Sequence, residues 1–341
     1  MPARRTEFAE LTRTLRGAGL LDRRLGFYAV VIAATAAVFV AAVIAFVLIG
    51  DSWWAVALAP VFAVVFTHCG FIGHDAGHRQ IFTSTRANDA LGYLAGNLAI
   101  GLGYSNWVLK HNAHHANPNH DERDPDVQIP VIAFSPDQAV GRRGPAGFIT
   151  RHQAALFFPL LLLEAWSMHV TSVAAVVRRT VDAPRLEAVL LLAHATLYLG
   201  TVFWVLSPGP AVVFVVVQQG LFGLYLGASF APNHKGMPMV SAADQLDPIR
   251  KQVLTSRNIR GSTLVDHGLG ALNYQIEHHL FPRMPRPNLR RAQPLVAAFC
   301  ARQDIAYTQT GFLDSYAQTL RHLHTASAPL RAARVAMTAS A

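Results

Sequence analysis

The sequence predicts an all-α integral membrane protein: four transmembrane helices in two hairpins, with interfacial helices and a cytosolic helical cap. Three observations predict it. The chain of 341 residues is 52% apolar and only 14% charged, well under the roughly 25% charged share of an ordinary soluble domain. Residues 27–50 carry no charge at all, and at 1.5 Å per residue they reach about 36 Å, enough to cross a hydrocarbon core of about 30 Å. Arg and Lys gather in the segments flanking such apolar runs, the distribution of the positive-inside rule.

The elements follow in order. The N-terminal segment carries Arg4, Arg5, Arg13, Arg16, Arg23 and Arg24, with Phe8, Leu11, Leu15 and Leu21 at near-helical spacing. It reads as an interfacial amphipathic helix on the cytoplasmic side. The first span is far longer than a signal-peptide core of about 7–15 residues, so it is expected to stay in the protein. The turn Asp51-Ser52-Trp53-Trp54 has no Lys or Arg and sets two Trp at an interface, which places it outside. A second span over 53–73 then returns inward and delivers His74 to the cytoplasmic face.

Four later apolar stretches need sorting. The uncharged turn Leu206-Ser207-Pro208-Gly209-Pro210 fits an outside hairpin between spans at 186–206 and 210–231, and Arg178, Arg179 and Arg185 before it fit the inside. The 154–177 stretch contains Glu164 and His169, and a crossing there would put the Arg-rich loop outside, so it is assigned to the cytoplasmic interface. The Gly-rich 89–104 run is too short to span and reads as re-entrant or interfacial. From about 232 onward the chain is polar and rich in Arg and Pro, a cap on the membrane face, with the last ten or so residues expected to fray. One domain over 1–341, with a core at about 53–295, both termini cytoplasmic and a place in the cell membrane, is the simplest organisation.

A net charge of +9 raises the question of nucleic acid, but no basic recognition module accompanies it, and no nucleic-acid partner is expected. Cys69 and Cys300 stand alone without CxxC pairing, which excludes a disulfide framework and a thiolate metal site.

Chemistry resides in three histidine clusters: His74-Asp75-Ala76-Gly77-His78, His111-Asn112-Ala113-His114-His115 and Gln275-Ile276-Glu277-His278-His279. Residues three or four apart share a helix face, so His74 with His78, and His111 with His114 and His115, can converge on metal. His234, in Ala231-Pro232-Asn233-His234, follows a span and is brought by topology to the same face. Eight imidazoles are too many for one tetrahedral zinc, and imidazole suits Fe, Zn or Cu, so two metals with open positions is the economical count. Asp75, Glu277 and the run containing Asp121, Glu122, Asp124 and Asp126 can accept hydrogen bonds from ligand imidazole N–H groups. His68, His152, His169, His194, His322 and His324 read as hydrogen-bonded side chains outside the centre, while His120 and His267 stay open.

These boxes, HDAGH, HNAHH and QIEHH, together with HANPNH and QIEHHLFPRMPRPNL, resemble those of the membrane fatty-acid desaturases. The third box, opening with Gln, is similar to that of front-end desaturases and bacterial acyl-CoA desaturases. The resemblance implies a cytoplasmic di-iron centre, with ligands His74, His78, His111, His114, His115, His234, His278 and His279. It also implies O2 as co-substrate, and electrons from a separate reductase, ferredoxin or cytochrome-type protein. The substrate implied is acyl-CoA or a lipid-bound acyl chain in the membrane. Gln275 stands where a ninth His can stand, and its contact with metal is open. No His-Pro-Gly-Gly haem motif occurs, so no fused cytochrome b5 domain is expected.

The same centre could hydroxylate or epoxidise, since all these reactions begin from activated oxygen. A membrane metal-binding or transport protein is the remaining alternative, although transport sites lie near the bilayer midplane. Lys251, Arg257, Arg260, Arg283, Arg286 and Arg290 are candidates for a head-group rim.

Overall fold

A computed structural model describes residues 2–332; the expected frayed C-terminus falls largely on 333–341, outside the described residues. Among the described residues, four helices are long and apolar enough to cross a membrane: Leu25–Ile49, Trp53–Gly77, Pro184–Val205 and Pro208–His234. The only strands among the described residues are Asn258–Ile259 and Gln309–Thr310, paired in parallel. The all-α membrane architecture is therefore the observed one. The second span runs four residues past the expected end, so His74 is still helical.

The spans divide into an inner and an outer pair. The second and fourth bury much of their surface in the protein, whereas the first and third turn most of theirs outward, with Val30, Leu48, Leu192 and Trp204 exposed. Between them Phe46, Phe62 and Phe214 cluster, the first and last with ring centroids 4.7 Å apart. At the end remote from the histidines, the backbone N–H and the hydroxyl of Ser207 both donate to Asp51 Oδ1, at 2.8 and 2.9 Å. The two turns expected on one side of the membrane are thus tied together.

Helices Gln153–Leu161 and Glu164–Val177 meet at 67°, and the fourth span crosses their joint. A Cβ on Gly223 would lie 2.7 Å from Leu161 O and from the Ala165 nitrogen, so the crossing needs glycine there.

The 89–104 run is more irregular than a helix. Helix Thr85–Tyr93 opens into a π turn at Leu94–Ala99, and Gly101 then takes φ of 71°. Side chains supply what the backbone lacks there. His169 Nδ1 donates to Gly101 O at 2.8 Å, His194 Nδ1 to Leu98 O at 3.0 Å, and the Gly103 N–H to Ser172 Oγ at 2.8 Å. Asn97 accepts from the Tyr104 N–H at 3.0 Å and donates to buried Glu187 at 2.9 Å. Non-helical backbone among apolar helices is tolerated only where protein satisfies it, and this network does so.

The N-terminal helix Pro2–Gly17 departs from expectation. Its apolar side meets protein instead of lipid, with Leu11 and Leu15 buried in one cluster with Leu289, Val296 and Phe299, and Phe8 stacked on Phe281 at 5.2 Å. The reason is helix Arg286–Arg302, which presents an apolar face of its own.

Candidate metal centre

Four elements converge at one end of the inner spans. The second span carries His74 in its last turn, and His78 caps its C-terminal end just beyond Gly77. Helix Tyr104–Ala116 sets His111, His114 and His115 three and four residues apart on one face. The fourth span ends on His234, and the short helix Gln275–Leu280 supplies His278 and His279. All are buried except His115, which is partly so.

The rings sort into two groups. Ligand nitrogens of His74, His78, His111 and His278 lie within 4.8 Å of one another, as do those of His114, His234 and His279. His115 sits between them, its ring centroid 4.1 Å from that of His279 and 4.6 Å from that of His78. Nε2 of His78 and Nε2 of His111 are 2.8 Å apart, and Nε2 of His114 and Nε2 of His234 are 3.3 Å apart. Gln275 Nε2 lies 2.8 Å from His234 Nε2, and exchanging the two ends of that amide would put its carbonyl oxygen there instead. His120 and His267 stay outside both groups: His120 Nδ1 accepts from the Glu122 N–H, and His267 Nδ1 donates to Thr263 O.

Behind the rings stand acceptors that fix which nitrogen is free. His74 Nδ1 donates to Asp75 at 3.1 Å, and His114 Nδ1 to Asp124 at 3.0 Å. His234 Nδ1 donates to Thr255 O at 3.0 Å, and His279 Nδ1 to Gln252 Oε1 at 2.8 Å. With Nδ1 protonated, Nε2 carries a lone pair toward the group. Sequence reading found the two carboxylates beside the boxes but missed Thr255 and Gln252, because a backbone carbonyl and a neutral amide between motifs leave no pattern.

Glu277 corrects an expectation. Its carboxylate accepts from Asn258 Nδ2 and Tyr307 Oη, each at 2.7 Å, and not from an imidazole. Burial pushes its pKa up to about 7 despite those bonds. Two of the candidate rim cations are structural as well. Arg257 is wholly buried, its guanidinium donating to Pro232 O, Lys235 O and Gln318, and buried Arg286 pairs with Asp75. Arg260, Arg283 and Arg290 are exposed, while Lys251 donates to Ala116 O.

Burial, and then the neighbouring imidazoles, hold His78, His111, His115, His278 and His279 well below the ordinary histidine value. They are neutral near pH 7, the state in which imidazole binds metal. His74 Nε2, His279 Nε2 and both nitrogens of His278 are buried without a hydrogen-bond partner. Orphaned buried nitrogens are costly unless something else satisfies them. Metal–nitrogen bonds of about 2.0–2.1 Å set neighbouring ligand nitrogens roughly 3 Å apart, close to the separations seen between these rings. The residues therefore fit a metal.

The fatty acid desaturase family model matches residues 51–311, which contain every histidine of both groups. The chain belongs to the fatty acid desaturase family. It is 33% identical over 279 residues to the acyl-lipid (9-3)-desaturase of Physcomitrium patens, covering 78% of this chain and 52% of that protein. Against the acyl-lipid (9-3)-desaturase of Borago officinalis the identity is 30% over 268 residues, 74% of this chain and 60% of the relative. Fatty acid desaturase 3 of Bos taurus is 28% identical over 331 residues, 93% of this chain and 72% of the relative. The chain thus spans under two thirds of the length of the two plant desaturases.

Proposed function

We propose that the chain is an O2-dependent acyl desaturase with a di-iron centre on the cytoplasmic side of the cell membrane. One iron would be held by His74, His78, His111 and His278, and the other by His114, His234 and His279, with His115 between them and Gln275 beside His234. The observation that carries the reading is the pairing of two imidazole groups, each having a carboxylate behind one ring, in a family of acyl desaturases. The irons would supply the activation of O2 needed to break unactivated C–H bonds, chemistry that no side chain offers.

The chain's own residues do the rest. Asp75 and Asp124 orient their imidazoles and raise their basicity. Trp107 stacks on His111 at 4.5 Å and Phe230 lies 6.0 Å from His74, so aromatic rings wall the first group from water. The apolar inner spans offer a hydrocarbon environment to an acyl chain, and exposed Arg260 and Arg283 are the candidate rim cations that face an anionic head group, of acyl-CoA or of a lipid, while Arg290 pairs with Asp266 at 3.4 Å. Desaturation consumes one O2, two electrons and two protons, removes two hydrogens from the chain and yields two waters. The electrons come from a separate electron-transfer protein.

Hydroxylation or epoxidation would use the same centre, and the named activities of the relatives favour desaturation. Metal transport fits less well, because His234 is the last residue of its span and not a midplane residue. Expression in a host lacking the activity, with lipid analysis, is the test. New double bonds with the wild type and none with His114→Ala are expected; oxygenated products, or unchanged activity in the variant, would refute the reading.

A further inference from the structure

Helix Pro248–Leu254 belongs to no histidine box, yet one of its side chains touches two of them. Gln252 Nε2 donates to His115 O at 2.8 Å, and its Oε1 accepts from His279 Nδ1 at 2.8 Å. The assignment is fixed by chemistry. A backbone carbonyl can only accept, so the amide nitrogen must face His115 and the amide oxygen must face His279. His279 then keeps its proton on Nδ1, and its Nε2, buried and without a protein partner, carries the lone pair.

The acceptors behind the second group differ in kind. His114 has the carboxylate of Asp124, His234 the carbonyl of Thr255, and His279 the neutral side-chain amide of Gln252. The first two are held by buried surroundings. The amide is partly exposed and tied to the C-terminal end of helix Tyr104–Ala116, where neighbouring Lys251 also donates, to Ala116 O at 2.7 Å. Gln252 therefore couples the end of the second-box helix to the ring orientation of a third-box histidine.

We infer that Gln252 is a positioning residue for the second metal, holding His279 in its binding tautomer through Oε1. This rests on the proposed two-metal reading. The test uses full-length purified protein, iron content and chelator competition for iron, with no need for turnover. Gln252→Leu keeps the shape and loses both hydrogen bonds. Gln252→Glu keeps an acceptor facing His279 Nδ1 in either protonation state.

Gln252→Leu is expected to hold roughly half the iron of wild type, its weaker site losing about 10- to 100-fold in affinity, the usual effect of removing such a partner. Gln252→Glu is expected to restore the full complement and to change the Mössbauer parameters of the restored site, which a merely structural role would not do. Full iron in Gln252→Leu, equal loss in both variants, or restored iron in Gln252→Glu with wild-type spectra would each overturn the inference. Wild type binding no iron would overturn the two-metal reading and the inference with it, a result distinct from failure in the variants alone.

Discussion

Arg286 donates through Nε to Asp75 Oδ2 at 2.7 Å, while the other oxygen of the same carboxylate takes the Nδ1 proton of His74. Both partners are buried. One carboxylate thus joins the cap to a histidine of the second span, and the Arg286 backbone N–H adds a bond to Tyr28 Oη at 3.2 Å.

Removing one partner of such a pair leaves the other charge uncompensated. Arg286→Leu is expected to cost about 3–5 kcal/mol, seen as a lower melting temperature in detergent and poor recovery of monodisperse protein. Asp75→Asn with Arg286→Leu together should recover part of that loss, because no lone buried charge remains.

The cluster gives a pH dependence of definite sign. His111, His115, His278 and His279 titrate well below their ordinary value of 6.5 in the folded protein. Below that value the unfolded chain binds protons that the folded cluster refuses, so this contribution to stability is complete above pH 6.5 and is lost as pH falls. Iron retention should follow the same direction, since protons compete for the ligand nitrogens. Dialysis across a pH series with metal analysis checks it.

Gly101 takes a left-handed φ of 71°, and a Cβ there would lie 2.5 Å from His194 Cδ2 and 2.9 Å from His169 Cε1. Gly101→Ala is expected to lose about 1–3 kcal/mol through overpacking and backbone strain, and to disturb the segment that leads into helix Tyr104–Ala116. Thermal unfolding measures the first effect, and iron content the second.

The proposed sidedness makes Asp51 and Arg260 face opposite compartments. Cys69 and Cys300 are both buried, so an impermeant thiol reagent applied to intact cells should label Asp51→Cys and spare Arg260→Cys. The reverse pattern would invert the topology.

The histidine boxes were legible because helical spacing is written directly in the sequence, and His234 because parity of the spans brought it to the same end. What escaped was set by partners distant in sequence. Arg257 and Arg286 look like surface charge until Pro232 O and Asp75 are seen beside them. Glu277 looked like a partner for a neighbouring ring, but Asn258 and Tyr307, from the paired-strand region, take its oxygens. Leu11 and Leu15 announced an amphipathic helix without saying whether lipid or helix Arg286–Arg302 would cover it. In each case the local pattern fixed what kind of contact was needed, and only the fold chose the partner.

The most direct test of the account is iron stoichiometry with Mössbauer spectroscopy on protein purified from cells grown on 57Fe. About two irons per chain, magnetically coupled when oxidised, are predicted for wild type, with a clear loss in His234→Ala and none in His267→Ala. A single metal per chain, zinc in place of iron, or full iron in His234→Ala would contradict it.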